Sequence, residues 1–490
     1  MRWTVAEVAD ALGVAAPSGA DSVARLAGVS IDSRTVKHRE LFVAIRGPRH
    51  DGHNFVAAAL AQGAVAAVVE RDRAAEYPPE IRERLLAVND TLRALQELAR
   101  SYCDSWRNAK AGRRVGAVTG SAGKTTTKEI LAALLAARFR VLKSEGNLNN
   151  EYGLPLTLFR LDDEHDAAVV ELGMSHRGEL TRLAEIAKPD VGVVTNVAPV
   201  HLEFFSSVDE IALAKRELIE GLGGAEPVAV LNADDARVSR FAEGFRGRAV
   251  YFGFSDRAEF RAENIEDRGM DGSVFDFESP AELGRLRLPL AGRHNLLNAL
   301  AALAAASEWG ISIADAKEVF TKLRASSMRG EFARFEIGFA VINDCYNSNP
   351  VALERMIDLL CATPGYGRRI LVAGEMRELG AASAELHRQA GQYAASKSAI
   401  DWIFGVTGEA EEFVRGAINA GHPADQTKFF ASSEEAANFF PEFLTSGDLL
   451  LVKGSRGVHM ESIAARLRER FPLAESAREE TSRASQRGSA

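Results

Sequence analysis

Two hydrophobic patterns alternate along this chain. Short, nearly continuous apolar runs are separated by longer stretches in which apolar residues return every three or four positions. The runs read as buried strands and the longer stretches as amphipathic helices. Their alternation predicts parallel sheets covered by helices on both faces. Up to residue 110 the runs "LFVAI" (41–45) and "AVAAVVE" (64–70) flank a helical "HNFVAAALAQG" (53–63). "DTLRALQELARSYC" closes this unit as a helix, with Leu92, Leu95, Leu98 and Ala99 on one face, and "RNAKAGRR" reads as a polar linker.

A second zone, 111–325, carries strands at Val115–Val118, "AAVVEL" (167–172), "VGVVTN" (191–196) and "PVAVLN" (227–232). Between residues 250 and 290 the pattern shortens. "AVYFGF", "GSVFDFES" and "GRLRLPLAG" predict a small antiparallel subdomain. The third zone, 326–472, opens near "SSMRGEF" and has strands at "FAVIND" (339–344), "RILVAG" (369–374), "DWIFGV" (401–406) and "DLLLVKG" (448–454). It predicts a second doubly wound unit. The tail 473–490, "LAESAREETSRASQRGSA", is polar and is expected to be disordered. The expectation is a three-domain α/β chain.

Composition narrows the class. At 490 residues the chain exceeds one ordinary core, and 46% hydrophobic with 26% charged residues suits a globular protein. A net charge of −9 gives no bulk attraction to nucleic acid. Cys103, Cys345 and Cys361 are too few and too scattered for a disulfide framework or a zinc cluster. No apolar run approaches the roughly 20 residues that span a bilayer. "MRWTVAEVADALG" carries acids and no long apolar core, so it does not read as a signal peptide. A cytoplasmic protein without membrane insertion is expected.

The sharpest motif is "VGAVTGSAGKTTTKEIL", Val115–Leu131. A phosphate loop usually reads G-x-x-x-x-G-K-[ST], which would place the first glycine at 118. That position is Val118; the nearest glycine is Gly120, and the loop reads G-x-x-G-K-T. The order strand, glycine turn, Lys-Thr and helix still aims backbone N–H groups and a helix N-terminus at an anion. Lys124 can reach outer phosphates and the Thr125 hydroxyl can hold Mg²⁺. The motif alone gives nucleotide binding, not a reaction.

Other candidates lie where parallel sheets bind ligands, at the carboxyl ends of strands. Glu171 ends "AAVVEL", a natural Mg²⁺ ligand beside a phosphate loop, or simply an acid starting a loop. His201 follows "VGVVTN" in "APVHLEFF", and Asp344 ends a strand of the third zone in "NDCYNSNP". "EGNLNNEYGLP" (145–155) and "GRHNLLNALAALAAA" (292–306) place Asn150 and Asn295 in a loop and near a helix start. "SVDEIALAKRELIEGL" predicts a helix with a capping box from Ser207 to Glu210. Lys215 falls on its apolar face with Ile211, Leu218, Ile219 and Leu222. Such a lysine snorkels, pairs or is modified, and spacing alone favours snorkelling.

Taken together, these stretches resemble the Mur ligases, ATP-dependent amide-forming enzymes of peptidoglycan precursor synthesis. "TGSAGKTTTKE", "GNLNNEYGLP", "ELGMSHRGEL", "TNVAPVHLEFF…AKREL", "LNADD", "GRHNLLNALAA", "RGEF", "NDCYNSNP" and "VKGSRG" carry the resemblance, in order, from about residue 20 to 465. It implies a UDP-substrate-binding domain (1–110), a central P-loop ATPase-like domain (111–325) and a Rossmann-like ligase domain (326–472). It further implies that Gly120, Ser121, Ala122, Gly123, Lys124, Thr125 and Thr126 cradle ATP, helped by Asn295, Arg329 and Asp344. Thr125 and Glu171 would hold one Mg²⁺, and His201 and a carbamylated Lys215 a second. Lys124, His201 and Lys215 would be the catalytic set.

Ser33, Arg34 and Asn150 would face the UDP substrate. Asn347, Asn349, Lys453 and Arg456 would face an incoming dipeptide, whose carboxylate needs a cation; a solvated basic turn is the plain alternative for "VKGSRG". The implied substrates are a UDP-N-acetylmuramoyl-tripeptide and D-alanyl-D-alanine, handled by a monomer. "NSNP" (347–350) stands where the diaminopimelate-adding relative carries "DNPR", and Phe205 where relatives often carry glycine. A different amide ligase of the superfamily, of the tripeptide-forming or folylpolyglutamate type, and a non-catalytic nucleotide-binding protein are the other readings.

Overall fold

The computed structural model describes residues 3–47 and 50–474. Three sheets follow one another along the chain. The first is parallel throughout, in the order β1 (Gly28–Ser30), β2 (Glu40–Val43), β3 (Ala66–Glu70), β4 (Leu85–Val88). The second has nine strands: β5 (Arg114–Thr119), β6 (Val141–Lys143), β7 (Ala167–Glu171), β8 (Val191–Val194), β9 (Val228–Asn232), β10 (Arg248–Gly253), β11 (Phe260–Asp267), β12 (Ser273–Glu278) and β13 (Leu283–Leu288). Their spatial order is β13-β12-β11-β10-β9-β8-β5-β7-β6. The third has β14 (Glu331–Arg334), β15 (Ala340–Asp344), β16 (Arg369–Gly374), β17 (Trp402–Val406), β18 (Thr427–Phe430) and β19 (Leu449–Lys453), in the order β14-β15-β19-β16-β17-β18. Only β14 runs antiparallel there.

The expected antiparallel segment is present but not separate. β11, β12 and β13 pair antiparallel, yet they extend the central sheet. "AVYFGF" departs from expectation: β10 runs parallel to β9 over five residue pairs. The chain from Asn232 to Arg248, which includes the short turn Val238–Arg240, is long enough to cross back and bring β10 in parallel.

The linker after the first sheet also differs from its reading. Arg113 is buried, with Nη1 on the Trp106 carbonyl, Nη2 on the Asp163 carbonyl and Nε on the His165 carbonyl. Arg107 Nη1 donates to both oxygens of Asp190 at 2.9 Å. A buried guanidinium is tolerated only when so satisfied, and here it bolts the junction. The helix Thr91–Asn108, started by the Asp90 side chain on the Arg93 N–H, buries Leu95, Leu98, Ala99, Tyr102 and Trp106. These belong to one continuous core with Leu154 and Leu158 and with Leu183 and Leu218 of the central unit. The C-terminal unit has its own two cores, one on each face of the third sheet.

Leu473 and Ala474, the first residues of the expected tail, still pair with the chain around β14. Residues 475–490 lie outside the described residues. Among the described residues no helix is long and apolar enough to cross a membrane.

Candidate active site

The unusual glycine spacing has a steric cause. Gly120 takes φ 147° and Gly123 φ 84°, conformations that side chains rarely adopt. A Cβ on Gly120 would collide with the Thr195 hydroxyl, and one on Gly123 with the Asn298 carboxamide. The loop is short because neighbours complete it. The Ser121 N–H donates to the Asn196 carbonyl, the Ala122 N–H to Asn196 Oδ1, and Thr195 Oγ1 donates to the Ala122 carbonyl at 2.6 Å. The helix Lys124–Leu135 then begins with no side-chain cap, leaving its first N–H groups for an anion. Lys124 Nζ folds back onto the Gly120 carbonyl at 2.8 Å.

Thr125 lies in the first turn of the helix that follows β5, and Glu171 ends the adjacent strand β7. Thr125 Oγ1 donates to Glu171 Oε2 at 2.6 Å, and Asn149 Nδ2 donates to Oε1 at 2.8 Å. Beneath them, buried Lys128 reaches the Ser144 carbonyl, and Ser144 Oγ accepts from the Glu171 N–H. A hydroxyl and a carboxylate set together are hard oxygen donors of the kind Mg²⁺ takes. Among the described residues no three or more His, Cys, Asp or Glu side chains are grouped so that they could hold a metal ion by themselves. That is compatible with Mg²⁺, which is usually held by one or two carboxylates plus phosphates and water.

Lys215 does not snorkel. It is only 2% exposed, its helix Val208–Glu220 packs into the shared core, and its side chain lines the cleft. Burial, then repulsion from Lys124, pushes its amine well below the ordinary lysine range. A solvent route is closed because the helix stripe that carries it faces inward. The capping box is also displaced by one residue. Ser207 Oγ accepts from the Glu210 N–H, but Glu210 Oε2 takes the Ser206 N–H instead. Glu217, one turn of side chains away, caps the helix Glu179–Ala187 through the Gly178 and Thr181 N–H groups.

These groups open into a cleft of about 1030 Å³. Ser121 to Thr126, Glu171, His201 and Lys215 line its central wall, with Asn150 at one end. Asn295, Arg329, Asp344, Asn347, Asn349, Lys453 and Arg456 also reach it. Several of them have partners. Lys453 is buried, and its amine binds Asp344 Oδ2 at 2.5 Å and the Asn347 carbonyl at 2.9 Å. Its ammonium is therefore already engaged by Asp344 and Asn347 at the edge of the cleft. Arg329 stacks on Tyr346 at 3.9 Å, and Asn349 caps the helix Pro350–Ala362. Arg456 stays half-exposed at the rim. Ser33 and Arg34 are not among the cleft's lining residues, and Arg34 forms a two-pronged pair with Asp32.

The cleft also holds residues the sequence reading passed over: Arg177, Arg182, His294, Asn298, Arg377 and Glu378. Arg182 Nε is braced by Gln96 Oε1 of the N-terminal unit at 2.8 Å. Burial pushes His294 down to about 4, with Asp344 opposing and Arg355 and Lys453 adding to the shift. Arg377 lies against Gly457, where any side chain would strike its guanidinium. Arg377 and Glu378 follow β16 directly, so the strand-end rule could have found them.

The sequence matches the descriptions "Mur ligase family, catalytic domain" over residues 25–103, "Mur ligase middle domain" over 118–306 and "Mur ligase, glutamate ligase domain" over 328–456. It is 34% identical over 450 residues to the UDP-N-acetylmuramoyl-tripeptide–D-alanyl-D-alanine ligase of Bacillus subtilis (strain 168), covering 90% of this chain and 93% of the relative. With the enzyme of the same name from Escherichia coli (strain K12) it shares 35% over 454 residues, 91% and 94% of the two chains. The crystal structure of MurF from Acinetobacter baumannii superposes with a TM-score of 0.84 at 30% identity, covering 96% of this chain and 99% of that one. MurF from Thermotoga maritima, solved with ADP, gives a TM-score of 0.77 at 28% identity over 90% and 97%.

Proposed function

The chain belongs to the Mur ligase family, and on that premise we propose that it joins D-alanyl-D-alanine to a UDP-N-acetylmuramoyl-tripeptide at the expense of ATP. The observation that carries the reading is the single cleft in which the phosphate loop and the Thr125–Glu171 pair face Asp344, Arg329 and Arg456. We assign residues 1–110 to the acceptor's UDP end, with Ser33 and Arg34 on that unit, 111–325 to ATP, and 326–472 to the incoming dipeptide.

A carboxylate is a poor electrophile, so it must be activated. Lys124 and the helix N-terminus behind it hold the outer phosphates while the γ-phosphoryl group passes to the acceptor carboxylate. ADP departs and an acyl phosphate remains. The dipeptide amine attacks its carbonyl carbon, an amide bond forms, phosphate leaves and the amine gives up a proton. Arg377 and Arg456, on the loops after neighbouring strands β16 and β19, supply cations for the dipeptide carboxylate. Asn295, Arg329 and Asp344 face the nucleotide from the other side.

Thr125 and Glu171 would hold Mg²⁺, which supplies charge neutralisation at the transferring phosphoryl group. His201 and Lys215 would hold a second ion only if Lys215 is modified, since an ammonium offers no lone pair. Its lowered basicity suits it to add CO₂, giving a carbamate oxygen ligand and releasing a proton. The reading takes a monomer as the working unit.

The test is a product assay with ATP, the UDP-tripeptide and a panel of amines. Mass spectrometry should find the UDP-pentapeptide with D-alanyl-D-alanine and stoichiometric ADP. Preference for a single amino acid, or no ATP consumption, would overturn the reading.

A further inference from the structure

Strand β6 stops where Lys128 meets it. β6 pairs parallel with β7 up to Lys143 against Val169, and the Ser144 N–H still donates to the Val169 carbonyl at 3.1 Å. The next rung of a parallel ladder would run from the Glu171 N–H to the Ser144 carbonyl. That carbonyl is taken. It accepts from the Lys128 ammonium at 2.6 Å, and the Glu171 N–H turns to the Ser144 hydroxyl at 3.1 Å. The Lys128 side chain is fully buried, and its ammonium also meets Glu129 Oε1 at 2.8 Å. A buried ammonium is costly unless so engaged, and an apolar side chain of similar volume often serves stability as well.

The surroundings of Lys128 tie it to the site. It lies one turn beyond Thr125 on the helix Lys124–Leu135, on the same face. Thr125 holds Glu171 Oε2 from that helix, while Lys128 holds the strand end beside the Glu171 backbone. Past Ser144 the chain leaves the sheet and comes back at Asn149. There Nδ2 donates to Glu171 Oε1, and the Asn149 carbonyl accepts from the Gly173 N–H at 2.8 Å. A Cβ on Gly173 would come within 3.0 Å of the Asn149 carboxamide, so this return is closely fitted.

We propose that Lys128 is a positioning residue for the metal site. By taking the Ser144 carbonyl out of the ladder, it ends β6 and turns the segment 145–150 toward the phosphate loop. Asn149 then reaches Glu171, whose carboxylate is held at both oxygens while its N–H is held by Ser144. The inference rests on the ligase reading, in which Thr125 and Glu171 would hold Mg²⁺. Lys128 acts through Ser144 and Asn149, as partners behind a metal ligand commonly do.

The experiment measures, by calorimetry, the Kd of the β,γ-methylene analogue of ATP with saturating Mg²⁺ and again in EDTA. The ratio of the two is the contribution of the metal; the value in EDTA reports the phosphate loop alone. Wild type is compared with Lys128→Met, Ser144→Ala and the double variant. In Lys128→Met the Kd with Mg²⁺ should rise by about tenfold or more, as when support behind a metal ligand is lost. Its Kd in EDTA should stay within about twofold of wild type. Ser144→Ala should also weaken the Mg²⁺ complex, because the Glu171 N–H must then compete with Lys128 for one carbonyl. The double variant should lose less than the product of the two factors, since both act along one route. Ser144→Ala carries the test if Lys128→Met does not fold. A metal contribution equal to that of wild type in Lys128→Met, or in Ser144→Ala where it stands alone, overturns the proposal whether or not turnover falls. So does an equal loss of affinity with and without Mg²⁺, which marks general damage to the loop. Wild type that gains affinity from Mg²⁺ but makes no pentapeptide would instead remove the ligase reading, and the ratio would still decide the role of Lys128.

Discussion

Thr125 Oγ1, in the first turn of the helix after β5, donates a hydrogen bond across 2.6 Å to Glu171 Oε2 at the end of the adjacent strand β7. Both groups are nearly excluded from water, and Asn149 holds the second carboxylate oxygen. On the proposed reading, a cation arriving with the triphosphate would find two protein oxygens already ordered. Thr125→Val and Glu171→Gln should each raise the Mg²⁺ concentration needed for half-maximal turnover by about tenfold or more. A Mg²⁺ titration at fixed ATP checks this.

Lys124→Ala should lower product formation by about 10²- to 10³-fold while the circular dichroism spectrum stays unchanged, because the charge matters most as the phosphoryl group moves. Its amine contacts only the Gly120 carbonyl in the structure, so the fold loses little. Turnover near that of wild type would refute the phosphate-loop assignment.

Lys215→Ala should be nearly inactive, and short carboxylic acids should partly restore it by standing in for the carbamate. Lys215→Arg should not respond, since its side chain fills the space and stays charged. Normal activity of the alanine variant would rule out a role for the modified lysine.

Arg456→Ala and Arg377→Ala should raise the KM for the dipeptide several-fold more than the KM for ATP. Both arginines are half-exposed and neither is fully engaged by a carboxylate. Equal changes in both constants would return them to ordinary surface turns.

His294 carries a pH signature. Its folded value, about 4, lies below the ordinary 6.5, with burial as the main cause. Between those values the unfolded chain binds a proton that the folded chain refuses. The stability linked to this group is complete above about pH 6.5 and is lost as pH falls toward 4. Calorimetric Tm values from pH 8 to 4 should therefore fall less steeply for His294→Gln than for wild type.

The sequence exposed those parts of the site whose chemistry is local. Gly120 to Thr125 announce a phosphate loop, and Glu171 and Asp344 sit where a run of apolar residues ends in an acid. What stayed hidden depends on distant partners. The bond that commits Lys453 spans 109 residues to Asp344, and His201 meets Glu378 from another sheet. β1 and β6, three residues each, are too short to show a period. The direction of β10 was illegible for another reason: its alternation of buried Val250 and Phe252 with half-buried Ala249 and Tyr251 reads the same in either orientation. The burial of Lys215 could be read only as a conflict between a cation and an apolar stripe, and the structure resolves it inward.

The core shared by the first two sheets bears on how the chain is made. Tyr102 and Trp106 are finished on one side by Leu154 and Leu158 and by the helices that carry Leu183 and Leu218. Until those later segments leave the ribosome, the part of the closing helix that packs on them has nothing to cover it. Synthesis at roughly 5–20 residues per second leaves that face waiting many seconds for its remaining cover. The N-terminal sheet keeps a core of its own on the other face, around Phe42, Val56 and Val69, so it is the closing helix that waits. The C-terminal unit depends less on distant chain: one of its cores is built from its own strands and helices, and the other borrows Ala291 and Met270 from the central unit.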